Sequence, residues 1–430
     1  MANNRQLSLP FSNPMFDTAA LKRLIIPLII EQILAVTVGM ADIMMVSQAG
    51  QYATSGVSLV DTISVLLIQV FSALATGGAV ISSHYLGKGR EADACRAANQ
   101  LVLSVGAMGI FIMVLSLLGN QWILSAIYGH VDTNVMNAAE TYFYITACSY
   151  PFLALYNGCA ALCRSMGDSK ISMKTSILMN VINVTGNAIL VLIFHLGVVG
   201  VAIPTLISRI VAAGVMIFVI HNQTRPIHID AHFRLGFDWK LIKEILGIGI
   251  PTGLDGSLFQ IGKLLVASLV STFGTASIAA NAVGNTLASF EVIPGSAIGL
   301  AMITVVGQTL GANETKQAQY YTKIIYISMG LLNLILVFLC DPILTLYNLE
   351  PDAFAMARFV VLLHGICGAF LWPIAFALPN ALRSGGDARF IMIVSIASMW
   401  TFRIGLVIDW ICRSSFFLWR FKSGKWIHKL

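Results

Sequence analysis

Residues 21–46 read LKRLIIPLIIEQILAVTVGMADIMMV, and residues 245–270 read ILGIGIPTGLDGSLFQIGKLLVASLV. Both runs exceed about 20 residues, the length with which an apolar helix crosses the hydrocarbon core of a bilayer. Similar runs recur along the whole chain, which is 57% hydrophobic and only 11% charged. Because a soluble domain carries about 25% charged residues, the sequence predicts an all-α integral membrane protein.

The apolar runs predict ten spans and a further apolar stretch at 390–421. The spans lie near 21–46, 55–80, 94–118, 138–163, 172–194, 198–220, 241–271, 276–307, 317–340 and 352–382. Lysine and arginine occur at the N-terminus and in the connections after the even-numbered spans, whereas the connections after the odd-numbered spans carry none. Basic residues stay on the cytoplasmic side. We therefore expect both chain ends in the cytoplasm and an even number of spans.

The chain also repeats itself. HYLG at 84–87 corresponds to QTLG at 308–311, and Pro27 corresponds to Pro251, both at the same offset (308 − 84 = 251 − 27 = 224). RSMGD at 164–168 corresponds to RSGGD at 383–387 at an offset of 219 (383 − 164). The repeat predicts two six-helix lobes of the same orientation, 1–220 and 244–430, joined by a cytoplasmic loop at 221–243. Such parallel halves rock against each other around a central site in many transporters, although a duplicated scaffold without motion is the alternative.

Ionisable side chains inside the predicted spans are costly in lipid, so we expect them to line a central cavity. They are Glu31, Asp42, Asp61, Asp255, Lys263 and Glu291, and the accompanying amides are Gln69, Asn180, Asn183, Asn187, Gln260, Asn281 and Asn285. Carboxylates there can bind protons or sodium and attract organic cations. The alternative is that these polar groups lock one helix to another. Lys263 either forms a structural pair with Asp255 or is a counter-ion that an incoming cation displaces.

Other classes of function find little support in the sequence. No basic run interleaved with aromatic residues suggests a nucleic-acid site. None of the seven cysteines forms a Cys-x-x-Cys pair, which favours structural packing over a metal or redox site. No His-Glu-x-x-His, Gly-x-Ser-x-Gly or phosphate-loop pattern points to an intramembrane enzyme or to use of ATP. Transport would therefore draw its energy from an ion gradient.

Several segments carry recognisable motifs: GMADIMMVSQAG at 39–50, HYLGKGREADA at 84–94, its copy QTLGANETKQA at 308–318, and RSMGDSK and RSGGDAR at 164–170 and 383–389. Together they resemble the MATE (multidrug and toxic compound extrusion) family, within the larger flippase-related superfamily. The resemblance covers about residues 15–405. It implies about 12 transmembrane helices in two lobes around a cavity, and export of cationic, amphipathic compounds driven by inward flow of Na⁺ or H⁺.

The chain departs from the family pattern in two places. The ion-site aspartate of helix 1 falls on Asp42, but its partner acid on helix 5 falls on or near Asn187. In the first half the spacing from Ile177 to Arg209 is 32 (209 − 177), whereas the corresponding spacing from Ile396 to Arg413 is only 17 (413 − 396). The second half is thus shorter by 15 (32 − 17), and the missing segment falls near 405–409. This predicts a truncated hairpin of helices 11 and 12 and weakened or absent transport.

These observations together predict a monomeric multidrug efflux antiporter of the bacterial inner membrane, without a cofactor. We predict an ion-coupling site, for Na⁺ or H⁺, at Asp42 with Asn180, Asn183 and Asn187 as neutral oxygen donors. The remaining acids and amides and Lys263 are predicted to line a cavity for small organic cations or drugs. The alternative within transport is a flippase of lipids or lipid-linked oligosaccharides. Such proteins tend to line their cavity with arginine, whereas the cavity candidates here are mostly acidic, which favours cationic cargo.

Overall fold

The computed structural model describes residues 11–427 except 12, 130, 230–235, 274, 325–336, 338–339, 346–350 and 403–405, and it also describes residue 430. This part of the chain is helical and contains no β-strand. The first half consists of α1 (Thr18–Ser47), α2 (Gln51–Gly87), α3 (Glu91–Tyr128), α4 (Thr133–Ala147), α5 (Tyr150–Ser165), α6 (Ser169–Asn187), a π-helical turn (Ala188–Ile193) and α7 (Gly197–Ile220).

The second half follows the same order. It consists of α8 (Trp239–Ser271), α9 (Thr275–Gly311), the described part of α10 (315–324), α11 (Cys340–Thr345), α12 (Pro351–Phe370), a π-helical turn (Pro373–Ala377), α13 (Leu378–Ser384), α14 (Ala388–Phe402) and α15 (Leu406–Lys422). Proline breaks two of the predicted spans. Span 4 divides between α4 and α5 just before Pro151, and span 10 divides at Pro373, because proline lacks the N–H of a helix interior.

Seven helices of the described part are long and apolar enough to cross a membrane, and the bent pair Phe354–Phe370 and Pro373–Ser384 makes an eighth. Most of the predicted span 317–340 lies outside the described residues. The prediction of an all-α membrane protein built from a parallel repeat is confirmed.

The chain divides into two compact units, each with boundaries inside helices. The first comprises Met1–Gln32, Ser83–Arg90 and Leu254–Leu430, and the second comprises Ile33–Ser82 and Glu91–Gly253. The N-terminal half of α1 therefore packs with the second repeat: Leu24 and Leu28 are buried in one cluster with Met302 and Trp372. The lobe boundaries 1–220 and 244–430 come from the sequence repeat and stay a prediction.

The two copies of the first loop motif fold alike. Gly89 and Asn313, which occupy equivalent positions, have positive φ angles of 69° and 62°. The amide of Arg90 donates to the carbonyl of Tyr85 at 2.9 Å, and the amide of Glu314 donates to Thr309 at 2.8 Å. Glycine and asparagine are the residues that tolerate this left-handed turn best. The repeat is thus visible in backbone conformation as well as in sequence.

The second motif also folds alike in both copies. Ser165 Oγ donates to the carbonyl of Ala79 at 3.2 Å, and Ser384 Oγ donates to Ile303 at 3.4 Å. The two acceptors are themselves equivalent in the repeat, because they have the same offset as the first loop motif. The motif aspartates each pair with a downstream arginine, Asp168 with Arg225 at 3.3 Å and Asp387 with Arg420 at 2.5 Å. Arg-Ser-x-Gly-Asp is therefore a structural motif that ties a helix end to its neighbours.

Within the first unit, the ends of α2 and α9 meet in a reciprocal contact. A methyl group on Gly87 would overlap the backbone carbonyl of Gln308, and one on Gly311 would overlap that of His84. His84 and Gln308 are themselves equivalent in the repeat. His84 Nε2–H also donates to the carbonyl of Ser384 at 2.6 Å. Only glycine lets the two backbones approach this closely.

This contact predicts that Gly87→Ala destabilises the protein. Alanine favours a helix interior by about 1 kcal/mol over glycine, so any loss measures the overlap with Gln308. The matched control is Gly247→Ala in α8, where nothing lies within 4 Å of an added methyl group. We expect Gly87→Ala alone to lower the Tm of the purified protein by several degrees. Equal Tm values for the two variants would contradict the close approach.

Helices α14 and α15 form an antiparallel hairpin. Ser398 Oγ donates to Asp409 Oδ1 at 2.7 Å, Arg413 donates to the carbonyl of Ser395 at 3.0 Å, and Arg420 pairs with Asp387. Residues with lower numbers in α14 contact residues with higher numbers in α15, as expected for two antiparallel helices. The helices hold 15 and 17 residues, which makes them roughly 22 and 26 Å long at 1.5 Å per residue. Both are shorter than the bilayer core of about 30 Å, as expected for a truncated hairpin.

The hairpin buries an ion pair in its interior. Arg413 Nε lies 2.8 Å from Asp409 Oδ1, and both side chains are almost fully buried. The guanidinium group also lies over the rings of Phe259 and Phe376, 5.7 and 5.4 Å from their centroids. Buried charges of this kind are stable only when paired and hydrogen-bonded. The ion pair with Asp409 therefore explains how the charged Arg413 side chain is tolerated inside a short apolar hairpin.

The antiparallel hairpin predicts that the C-terminal tail returns to the side of Asp387. We expect Ser423→Cys, in a background without native cysteines, to react with a membrane-impermeant maleimide only after cells are permeabilised. Ser47→Cys, which is also exposed and lies at a predicted outer connection, is the matched control and should react in intact cells. Reaction of Ser423→Cys in intact cells would contradict the hairpin.

Candidate functional site

Asp42 lies beside the end of α6 in the second unit. Asn187 Nδ2 donates to Asp42 Oδ1 at 2.8 Å, and the Asn187 side chain is fully buried. Asn187 is the last residue of α6 before the π-helical turn Ala188–Ile193. Such turns are rare and are often found at functional sites. A bulge there is one way to direct a helix-end amide at a carboxylate on another helix.

An amide ladder extends from Asp42 along α6. Asn187 Nδ2 also approaches Asn183 Oδ1 at 3.3 Å, and Asn183 Nδ2 donates to Thr205 Oγ1 at 3.0 Å. Thr205 in turn donates to the carbonyl of Val201 at 2.9 Å. The spacing of Asn180, Asn183 and Asn187 puts all three on one helix face. Asn180 is buried as well, but its Nδ2 makes no hydrogen bond within the described part of the chain.

Two further charged side chains act on Asp42 electrostatically. Asp61 and Arg209 lie close enough for their charges to influence the carboxylate. Tyr142 OH donates to Asp61 Oδ1 at 3.4 Å, and Arg209 Nη1 donates to Ser149 Oγ at 2.7 Å. The centre thus contains two acids and one guanidinium group. Tyr142, Ser149 and Arg209 have no predicted role in the sequence, where the one available signal is a lone arginine in an otherwise apolar span.

Asp255 in the first unit has a different environment. Arg383 Nη2 lies 2.6 Å from Asp255 Oδ2, and its Nη1 donates to Asn380 Oδ1 at 2.9 Å. Both members of the pair are largely buried, with side-chain exposures of 12% and 13%. From its position in the sequence, Arg383 is expected in a cytoplasmic connection. In the structure it lies in α13, and its long side chain reaches back to α8. Asp255 is thus paired with Arg383, whereas the sequence alone suggests a pair with Lys263.

The structure places the remaining predicted cavity residues individually. Glu31 is buried, Gln69, Gln260 and Asn281 are half-buried, and Lys263 and Asn285 are exposed. The side chain of Glu291 lies outside the described residues. The described residues contain no group of three or more His, Cys, Asp or Glu side chains positioned for one metal ion. Asp42 instead accepts a hydrogen bond from Asn187 Nδ2, while Asn187 Oδ1 makes no hydrogen bond.

The chain resembles bacterial proteins along nearly its whole length. It is 25% identical over 439 aligned residues to "Probable multidrug resistance protein NorM" of Thermotoga maritima, covering 94% of this chain and 92% of that protein. It is 23% identical to "Multidrug export protein MepA" of Staphylococcus haemolyticus, covering 86% and 82%.

Solved structures share the fold. One is described as the "Outward-facing conformation of a multidrug resistance MATE family transporter of the MOP superfamily", with a TM-score of 0.86, 18% identity and coverage of 94% and 96%. A second is a MOP superfamily transporter from Pyrococcus furiosus, with a TM-score of 0.82, 17% identity and coverage of 94% and 93%.

The model of the MatE family matches the chain twice, at residues 27–189 and 251–409. The two matches begin at Pro27 and Pro251, the pair that defines the sequence repeat. Asp42 and Asn187 fall inside the first match, and Asp255 and Arg383 fall inside the second. Together the matches span more than half of the chain, and they coincide with the repeat seen in its backbone. The chain is a multi-pass membrane protein that belongs to the MatE family of transporters.

Proposed function

We propose that the protein is a secondary active multidrug efflux antiporter, which exports cationic amphipathic compounds in exchange for Na⁺ or H⁺. The observation that carries the proposal is Asp42 with its amide ladder, because a carboxylate inside an apolar bundle whose side-chain hydrogen bond comes from a neutral amide is suited to binding a coupling ion. Relatives named for multidrug resistance and export support the class of cargo. No catalytic step is needed for this function.

The coupling ion would bind where Asn187 meets Asp42. Asn187 Oδ1 is buried without a hydrogen-bond partner, which costs about 1–3 kcal/mol. A half-turn of the amide would direct Oδ1 to the carboxylate, where it would coordinate Na⁺ or accept a proton held on Asp42. Ion binding therefore relieves the unsatisfied oxygen. Loss of the ion would restore the bond between Asn187 Nδ2 and the carboxylate, giving two discrete states of one side chain.

The proposed transporter lies in the bacterial inner membrane as a monomer with both termini in the cytoplasm. The positive-inside argument supports that orientation. Large apolar side chains are exposed along the spans, for example Leu118 at 85% and Phe218 at 81%. Contact with lipid is the environment in which such exposure is favourable.

A flippase of lipids or lipid-linked oligosaccharides is the second candidate. The observation that favours it is the pairing of Asp255 with Arg383, because it neutralises an acid that would otherwise attract a cationic cargo. The solved structure from Pyrococcus furiosus is described by the words "Reverse polarity of binding pocket suggests different function". Efflux of a cationic dye from vesicles, compared with movement of a labelled lipid between leaflets, separates the two candidates.

Replacement of the proposed ion ligand should uncouple transport. We expect Asp42→Asn to reduce gradient-driven dye efflux in everted vesicles by at least about tenfold, equivalent to 1.4 kcal/mol, because the amide cannot hold the coupling charge. Na⁺ and H⁺ gradients are imposed separately to identify the ion. Glu91→Gln, which removes an exposed acid at the start of α3, is the matched control. Full efflux by Asp42→Asn under both gradients would refute the assignment.

The role of Asp255 needs a paired substitution. Asp255→Asn alone leaves the Arg383 charge buried without its partner, which typically costs about 3–5 kcal/mol, so we expect poor expression. The double variant Asp255→Asn/Arg383→Gln removes both charges and should restore folding, as judged by gel filtration. If Asp255 is a cargo ligand, the double variant loses efflux of cationic dyes despite folding. Resistance equal to that of the parent would exclude a cargo role for this carboxylate.

A further inference from the structure

A polar cavity lies in the second unit between the C-terminal end of α3 and α4, at the predicted outer face of the membrane. Its volume is about 690 Å³. The polar and aromatic residues that line it are Asn120, Gln121, Trp122, Glu140, Thr141 and Tyr144. None of these residues belongs to the Asp42 centre. The proposed antiport function leaves this cavity without a role.

The polar side chains of the cavity include the carboxylate of Glu140 and the buried amide of Asn120. Asn120 is only 6% exposed, and its Nδ2 donates to the backbone carbonyl of Glu140 at 3.0 Å. That bond leaves Asn120 Oδ1 buried without a partner. The Glu140 carboxylate is approached by Gln121 Nε2 at 3.5 Å, and no basic side chain of the described residues pairs with it. The predicted outer connection 119–137 also contains no lysine or arginine.

Aromatic and apolar surface adjoins these polar side chains. Trp122 is 76% exposed and Tyr144 is 55% exposed, as is typical of aromatic residues at a membrane interface. A second, apolar groove of about 460 Å³ runs along α3 between Phe111 and Ile123, and it shares Leu118 and Trp122 with the polar cavity. A ligand with a polar head and an alkyl tail would occupy both spaces at once.

We propose that this cavity and groove bind an amphiphile with a primary ammonium head and an alkyl tail. The ammonium group has three N–H donors and no acceptor, so it complements the Glu140 carboxylate. The face of Trp122 adds an attraction for a cation, and the tail lies against Leu118 in the groove. An ethanolamine lipid of the outer leaflet and a free alkylamine both have this chemistry.

Dodecylammonium binding to the full-length protein in phosphatidylcholine nanodiscs tests the site. We expect Glu140→Gln to weaken the affinity about tenfold, which corresponds to 1.4 kcal/mol, while Glu91→Gln at the opposite end of α3 binds like the parent. Dodecanol has the same tail without charge and should bind at least tenfold more weakly than dodecylammonium to the parent. Equal affinity of Glu140→Gln and the parent, or equal binding of dodecanol, would overturn the proposal.

Lipid composition distinguishes the two sources of the ligand. Discs made with phosphatidylethanolamine present the same ammonium head at high local concentration. A weaker apparent affinity for dodecylammonium in those discs assigns the site to membrane lipid, and an unchanged affinity assigns it to free amphiphiles. Both results require the site to exist, and neither depends on the coupling role of Asp42, because binding is measured without a gradient.

Discussion

Every backbone N–H and C=O group within a bilayer must find a partner in the protein, and this constraint shapes the whole molecule. It accounts for the helical character of the described residues and for the hydrogen bonds made by backbone groups at the helix ends. The loop motifs at 84–90 and 308–314 use a left-handed residue to return amides to the last helical carbonyls. Close contacts between helices then depend on glycine, as at Gly87 and Gly311, where backbone meets backbone.

The same environment makes interior charge expensive, and the two units meet that cost in different ways. In the second unit Asp42 accepts a hydrogen bond from the Asn187 amide, which stabilises the carboxylate without adding a charge. In the first unit Asp255 and Asp409 are each held by an arginine, which cancels the charge. An amide-held acid is free to exchange a small cation, whereas an arginine-held acid is committed to its partner. Under the proposed function, this asymmetry favours ion coupling at Asp42, because Asp255 and Asp409 are already paired with arginine.

The features of the fold that could be predicted are those that depend on short stretches of sequence. The spans, the repeat and the two loop motifs depend on apolar length, on glycine at particular turns and on matched spacing, all of which are visible in a single sequence. Asp42 and Asn187 could be matched to the ion-site positions of the MATE family, because the motif around Asp42 and the residue spacing within α6 are local features of the sequence as well. The side chains missed were those that reach across helices. The sequence places Arg383 in a loop, because its position in the chain does not reveal that its guanidinium group extends back to Asp255.

The sequence by itself determined a membrane protein of two repeats, with acids in its spans and a shortened final hairpin, because hydropathy, charge and repeat spacing are properties of the chain. Only the tertiary structure decided which partner each acid receives. It brought Asn187 to Asp42 and Arg383 to Asp255 from different helices, and it placed Glu140 at a cavity. The physical reason is that a charge in a span takes its partner from neighbouring helices, and helix packing in three dimensions determines those neighbours.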